Sequence, residues 1–195
     1  TESNENVDLP PQLVEKWKAE GRYEQEVEEL DTFFKRTGYP RAPRFYIMKW
    51  LADYITEFGV DGYRADTVKH TEEYVWQEFK TECDYAFAEF KNNNPEKVLD
   101  NNDFYIVGEV YNYNVSSGQL FDFGDKKVNY FDPASFHSLI NFEFKWNSKE
   151  LDYESLFKKY SSVLNGDLKN FGTLNYLSSH DDGSPFDANR KKPFE

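Results

Sequence analysis

The chain has 195 residues, of which 38% are apolar and 18% aromatic, and its formal net charge is −13. This length and apolar content suffice for a packed core and exclude a disordered composition. The negative charge argues against nucleic-acid binding, which needs clustered Lys and Arg, and suits a neutral ligand or a cation instead. No apolar run in the sequence approaches the length of a membrane span.

The other features of the composition determine neither the cellular compartment nor the identity of the ligand. Cys83 is the single cysteine, so the chain cannot form an internal disulfide. The polar opening TESNENVD has no apolar segment of the kind found in signal peptides. The 14 Tyr and 18 Phe suit stacking on sugar rings, although core packing is the better interpretation for most of them.

The first part of the chain is predicted to be helical. After a polar lead-in at 1–9, residues 10–36 favour two helical pieces separated by Gly21, and the stretch 38–43 is rich in turn residues. A third helix is predicted to follow, ending at Gly59, because apolar residues recur there at steps of four, four and three. These residues are Ile47, Leu51, Ile55 and Phe58.

Strands and helices are predicted to alternate in the rest of the chain. This alternation indicates an α/β fold with parallel strands joined by helical crossovers. In chain order the predicted elements are a strand at 60–66, a helix with Trp76, Phe79, Cys83, Phe87 and Phe90 on one face, a strand at 104–110, a loop at 111–133, a strand at 138–144, a helix marked by Tyr153, Leu156, Phe157, Tyr160 and Leu164, and a strand at 172–179.

Three acidic residues stand at the ends of these predicted strands. Asp66 ends the first strand, Glu109 the second and Asp181 the last. In a parallel α/β sheet such positions lie at the C-terminal edge, where α/β enzymes place their chemistry. A parallel barrel would therefore bring the three carboxyl groups to one mouth.

The sequence around Asp66 indicates a candidate nucleophile. Arg64 and Asp66 project to the same face of a strand because side chains alternate. A neighbouring guanidinium lowers the pKa of a carboxyl group and would keep Asp66 ionised. An ordinary surface ion pair explains an isolated Arg-x-Asp equally well, and Lys69 and His70 would by default be solvated loop residues.

The two other strand ends carry a candidate acid and a candidate substrate contact. Glu109, flanked by apolar strand residues, is a candidate general acid, or alternatively a strand-end glutamate that faces water. His180 could hydrogen-bond to a sugar hydroxyl, and Asp181 could stabilise positive charge that develops at a sugar carbon. The alternative for this pair is an acidic turn after a strand.

Taken together and in this order, the three motifs resemble those of the α-amylase family of glycoside hydrolases. The sequence Gly-Tyr-Arg-Ala-Asp at 62–66 with Lys-His at 69–70 is similar to the motif at the family's fourth barrel strand. Gly-Glu-Val at 108–110 is similar to the fifth-strand motif and Ser-His-Asp at 179–181 to the seventh. The resemblance covers about 44–187 and is nearest to the α-amylases of polysaccharide-degrading bacteria.

The resemblance implies a retaining hydrolase that cleaves α-1,4-glucosidic bonds in starch-like α-glucans. It implies that Asp66 is the nucleophile, that Glu109 is the acid and then the base, and that Asp181 stabilises the transition state. It also implies a structural calcium ion, with the backbone carbonyl of His70 as one ligand, and a polysaccharide substrate favours an extracytoplasmic location. The implied substrate-binding residues are Arg64 beside the nucleophile, His180 at the cleaved sugar, and Lys69 and His70 on the leaving-group side.

The implied fold is part of a TIM (β/α)8 barrel, because four of its eight strands, the fourth to the seventh, are accounted for. We expect a helical lead-in or insertion at 1–43 and a partial catalytic domain at 44–195. The Asn-His motif of the third strand, the eighth strand and the C-terminal β-domain are absent from this sequence. We therefore expect the missing strands to come from the rest of a larger protein or from another chain, and we expect the isolated chain to be inactive on starch.

Two other functions remain open from the sequence. One is a carbohydrate-binding or scaffold protein that kept the barrel and lost catalysis, although such a protein need not keep all three carboxylates. The other is an α-glucosidase, cyclodextrinase or transglycosylase with the same three acids. Product analysis on different glucans would separate these alternatives.

Overall fold

The computed structural model describes residues 3–132 and 136–181 and shows an α/β fold. Residues 182–195, the end of the predicted catalytic domain, lie outside the described residues. The helices are α1 (Pro11–Ala19), α2 (Tyr23–Thr37), α3 (Pro43–Phe58), α4 (Glu73–Asn93), α5 (Phe144–Glu150) and α6 (Tyr153–Leu164). The strands are β1 (Gly62–Ala65), β2 (Tyr105–Gly108), β3 (Leu120–Asp122), β4 (Lys127–Asn129), β5 (Ser138–Asn141) and β6 (Gly172–Asn175).

The described residues fall into two compact units, one drawn from 1–61 and 81–104 and the other from 62–80 and 105–195. The predicted division at residue 43 stays a prediction. In the described part of the chain, no helix is long and apolar enough to cross a membrane.

The first unit contains the helices that the apolar spacing predicted. Gly59 ends α3 in the left-handed conformation, at φ 66°, and its N–H donates to the carbonyl of Ile55. Of the predicted apolar stripe, Ile55 is fully buried, whereas Ile47 and Phe58 are exposed. Lys49 on α3 is also buried, and its ammonium group is neutralised by Glu29 at 2.9 Å and Asp53 at 2.7 Å. A buried charge needs such partners, and the Lys49–Glu29 ion pair connects α3 with α2.

The second unit is built on a parallel sheet with the strand order β1-β2-β5-β6. Every neighbouring pair is parallel, which confirms the predicted α/β fold. Ile106 and Leu139 are buried in its core. Apolar side chains on both faces are typical of parallel strands covered by helices.

Three elements differ from the prediction, one of them being the predicted strand 172–179, which ends at Asn175. The predicted loop 111–133 contains an antiparallel hairpin of β3 and β4. The predicted strand 138–144 ends at Asn141, because the fully buried Asn141 side chain accepts hydrogen bonds from the N–H groups of Val115 and Glu143 and donates to Asn175 on β6. The chain then turns into α5, so a helix replaces the end of the predicted strand.

The hairpin is attached to the turn after α6 through Gly118 and Gln119. The Gln119 N–H and side-chain amide donate to Asp167 at 2.8 Å each. Gly118 has φ +66°, and a Cβ atom at this position would overlap the Asp167 carboxylate. Glycine is therefore required here both by the backbone conformation and by the close approach.

We expect Gly118→Ala to lower the free energy of unfolding by more than about 2 kcal/mol, because it adds both backbone strain and a clash. Gly38→Ala is the comparison, since Gly38 has an ordinary left-handed conformation (φ +70°, ψ 8°) with nothing within 4 Å of an added Cβ atom, whereas Gly118 combines its clash with a ψ of −142°. Gly38→Ala should lower the free energy of unfolding by only about 1 kcal/mol, because only the backbone conformation is disfavoured. Urea unfolding of both variants measures the difference, and equal losses would show that the contact with Asp167 is unimportant.

Candidate active site

The ends of β1 and β2 place Asp66 and Glu109 next to each other. In the parallel register Ala65 is paired with Gly108, so the residue that follows each of them lies at the same edge of the sheet. The N–H of Glu109 donates to the carbonyl of Ala65 at 2.8 Å, which extends the ladder by one step. Asp66 and Glu109 therefore lie side by side at the C-terminal edge of the sheet.

Arg64 joins the two carboxylates. Its guanidinium forms an ion pair with Asp66 and lies 3.5 Å from Oε2 of Glu109. The hydrogen bond from Arg64 is the main reason why the pKa of Asp66 lies below its ordinary value, and a hydrogen bond with Glu109 acts in the same direction against some desolvation. Asp66 is therefore held as a carboxylate.

The two carboxyl groups differ sharply in exposure. The side chain of Asp66 is 60% exposed, whereas that of Glu109 is only 7% exposed. Asp66 can thus reach a ligand from solvent, while Glu109 is enclosed by protein. Different surroundings for two neighbouring carboxyl groups are a common way to give them different chemical roles.

The two acids line a cavity of about 500 Å³. It contains every predicted site residue except Arg64, which contacts the two carboxylates instead. Thr67 and Tyr111 were not predicted as site residues. The lining residues are Asp66, Thr67, Lys69, His70, Glu109, Tyr111, His180 and Asp181.

Asp181 and His180 reach this cavity from a less direct position than predicted. β6 ends at Asn175, and Asp181 comes six residues later rather than directly at the strand end. Nε2 of His180 lies 3.2 Å from Oδ2 of Asp181, and both side chains are largely exposed. The cavity nevertheless brings this pair together with Asp66 and Glu109.

Lys69, His70 and Tyr111 form another part of the lining. The ammonium group of Lys69 donates to the Tyr111 carbonyl at 3.3 Å and lies 5.3 Å from the centre of the Tyr111 ring and 5.5 Å from that of Phe121. The His70 N–H donates to the Thr67 carbonyl at 3.0 Å. Tyr111 could have been identified from the sequence, because it is an aromatic residue only two positions after the strand-end acid Glu109.

The described residues contain no cluster of acidic side chains that would by itself indicate a calcium site. Calcium takes six to eight oxygen ligands, and no group of three or more His, Cys, Asp or Glu side chains suited to a metal ion occurs at 3–132 or 136–181. The predicted ligand, the carbonyl of His70, is a main-chain oxygen and would not appear in such a cluster. The calcium ion therefore stays a prediction.

Comparisons with known proteins agree with the sheet and the motifs. No family model matches the chain. It is 34% identical over 154 residues, or 78% of its length, to the periplasmic alpha-amylase of Escherichia coli (strain K12). The chain spans about a fifth of that relative, 21% of its length.

A solved structure extends the likeness to the fold. The crystal structure of an Anoxybacillus alpha-amylase matches 71% of this chain, and 26% of its own chain is covered, with a TM-score of 0.50 at 20% identity. At this identity the match supports the fold alone, and the four-stranded parallel sheet agrees with part of a TIM barrel. The sequence relative and the fold together support an α-amylase-like family for this chain, which spans only part of the length of both proteins.

Proposed function

We propose that the protein is a retaining glycoside hydrolase that cleaves α-1,4-glucosidic bonds in starch-like α-glucans. The observation that carries this proposal is the pair of unlike carboxyl groups, Asp66 exposed and Glu109 enclosed, bridged by Arg64 at one cavity. The 34% identity to a periplasmic alpha-amylase supports the same class of reaction.

The proposed chemistry uses the two carboxyl groups in sequence. The Asp66 carboxylate attacks the sugar carbon, and Glu109 gives its proton to the leaving oxygen. Glu109 then removes a proton from water, which releases the sugar from Asp66 with its original configuration. Retention requires carboxyl groups about 5–5.5 Å apart, and the contact of both groups with the Arg64 guanidinium is compatible with such closeness.

The other lining residues have proposed roles around the sugar. Asp181 would hold hydroxyl groups and stabilise the positive charge of the transition state, and His180 would bind the sugar that is cleaved. Lys69 and His70 would contact the leaving-group side. A structural calcium ion with the His70 carbonyl as one ligand is part of the same proposal.

The remaining strands of the barrel would come from the rest of the protein or from another chain. An extracytoplasmic location is proposed as well, because the E. coli relative is named as periplasmic and the substrate is a polysaccharide. These statements about the whole protein rest on a chain that spans 21% of that relative.

Product analysis tests the proposed substrate. The full-length protein is incubated with amylose, pullulan and cyclodextrin, and the products are separated by chromatography. We expect short linear oligosaccharides from amylose. Glucose alone would favour an α-glucosidase, efficient opening of cyclodextrin a cyclodextrinase, and longer products a transglycosylase. Binding of amylose without any cleavage would favour a carbohydrate-binding or scaffold protein.

The contact between Arg64 and Asp66 predicts a change in pH dependence. Removing the guanidinium in Arg64→Gln raises the pKa of Asp66 toward its ordinary value, so the nucleophile becomes protonated at a higher pH. The acid limb of the pH profile of kcat/KM should therefore move to higher pH. Arg22→Gln, which changes an exposed arginine outside the cavity, is the control. An unshifted acid limb in Arg64→Gln would contradict this role.

A further inference from the structure

Thr67, directly after Asp66, has an unusual backbone conformation. Its φ of 49° and ψ of 38° lie in the left-handed region, which β-branched residues rarely adopt. Asn112, the other non-glycine residue with positive φ in the described segments, is of a type that tolerates this region much better. Strained conformations of this kind persist only where the surrounding contacts enforce them, and they cluster at functional sites.

Two hydrogen bonds that accompany this conformation lead to Glu109. The Thr67 N–H donates to Oε2 of the Glu109 carboxyl group at 3.0 Å. The next N–H, that of Val68, donates to the main-chain carbonyl of Glu109 at 3.0 Å. The turn after β1 therefore wraps around Glu109 and contacts both its side chain and its backbone.

These contacts make the two oxygens of the Glu109 carboxyl group unequal. Oε2 accepts the Thr67 N–H and lies 3.5 Å from Nη2 of Arg64. A backbone N–H and a guanidinium are donors only and cannot accept a proton in return. A proton on Oε2 would point at donors, so the protonated form of Glu109 carries its proton on Oε1.

We propose that Thr67 is a positioning residue, whose left-handed backbone directs its N–H at Oε2 of Glu109 and so confines the proton that the leaving group receives to Oε1. This inference rests on the proposed hydrolase function. It adds that the turn carrying the nucleophile Asp66 also orients the acid Glu109. The relevant group is the main-chain N–H, so the side chain of Thr67 is not required for it.

The direct test removes the N–H and leaves the side chain in place. In the full-length protein, Thr67 is replaced by the corresponding α-hydroxy acid through nonsense suppression, which converts the amide between Asp66 and Thr67 into an ester. The same change at Val68 is the matched control, because it removes the neighbouring N–H, which contacts the backbone of Glu109 rather than its carboxyl group. Hydrolysis is measured on amylose and on an aryl maltooligosaccharide with an activated leaving group.

We expect the ester at Thr67 to lower kcat on amylose by about tenfold or more, because a hydrogen bond to a catalytic group is lost. The loss on the activated aryl substrate should be much smaller, since that leaving group needs little protonation. KM should change little. The ester at Val68 should affect the two substrates equally.

Other outcomes overturn the proposal in distinguishable ways. Equal losses on both substrates for the Thr67 ester would show that the N–H has only a structural role. Thr67→Gly keeps the N–H, and a change in its substrate ratio would assign the effect to the side chain instead. If the unmodified protein hydrolyses neither substrate, the proposed function itself fails. If the loss in rate depends on the leaving group in Glu109→Gln but not in the Thr67 ester, only the proposed role of the Thr67 N–H fails.

Discussion

Asp66→Asn is expected to reduce hydrolysis of amylose by the full-length protein on the order of ten-thousand-fold or more, because it removes the nucleophile. Binding of glucan should remain measurable, since the substitution keeps the size and shape of the side chain. The exposed position of Asp66 supports this expectation, because its replacement leaves no buried charge without a partner. Initial rates and the binding of an oligosaccharide by calorimetry measure the two quantities separately.

Asp125→Asn is the matched control for this variant. Asp125 is exposed in the turn between β3 and β4 and does not line the cavity. Its replacement should leave the rate within about twofold of the unmodified protein, as is usual for surface positions. A residual rate in Asp66→Asn within tenfold of the unmodified enzyme would exclude Asp66 as the nucleophile.

Glu109→Gln should have the second largest effect, and its size should depend on the substrate. General acid catalysis contributes about 10²–10⁴-fold, so we expect a loss in this range on amylose, whose leaving sugar oxygen needs a proton. With an activated aryl glycoside, the rate of the first chemical step should fall far less. The kinetics of both substrates with the same enzyme preparation give this comparison.

Stability has to be controlled in Glu109→Gln because the side chain is almost fully buried and contacts both Thr67 and Arg64. An amide at this position still offers an oxygen to those donors, so the folded structure should persist. The thermal unfolding midpoint measures this directly. Equal losses on amylose and on the aryl glycoside in a folded variant would be evidence against Glu109 as the acid.

The fold was predictable wherever local spacing determines structure. The apolar spacing and Gly59 predicted α3 and its end, and the mostly apolar run at 104–110 predicted β2. The turn residues that follow these elements predicted where each element ends. The parallel arrangement followed from the alternation of strands and helices, because a crossover helix joins strands that run in the same direction.

The elements that sequence reasoning missed depend on contacts between distant residues. The hairpin of β3 and β4 lies in a segment with many Asn, Ser and Gly, and the bonds from Gln119 to Asp167 attach it to a turn far along the chain. β5 ends early because the Asn141 side chain bonds to Val115 and Asn175. Neither set of bonds leaves a periodic pattern in the sequence.

The candidate site was predictable to a similar degree. Asp66 and Glu109 follow strands directly, so sequence pattern places them at one edge of a parallel sheet. The approach of Asp181 depends on the six residues after β6, whose path the sequence does not specify. The left-handed conformation of Thr67 could not be predicted, because threonine disfavours that region and the bond to Glu109 accompanies it.

Covalent trapping of the glycosyl–enzyme intermediate tests the central claim most directly. The full-length protein is treated with a fluorinated α-glucosyl fluoride, which forms the intermediate faster than water can hydrolyse it, and the labelled peptide is sequenced by mass spectrometry. We predict a single label on the carboxyl group of Asp66, together with release of the α-anomer from natural substrate. A label on Glu109 or Asp181, or release of the β-anomer without any label, would contradict the assignment of Asp66 and Glu109 as nucleophile and acid.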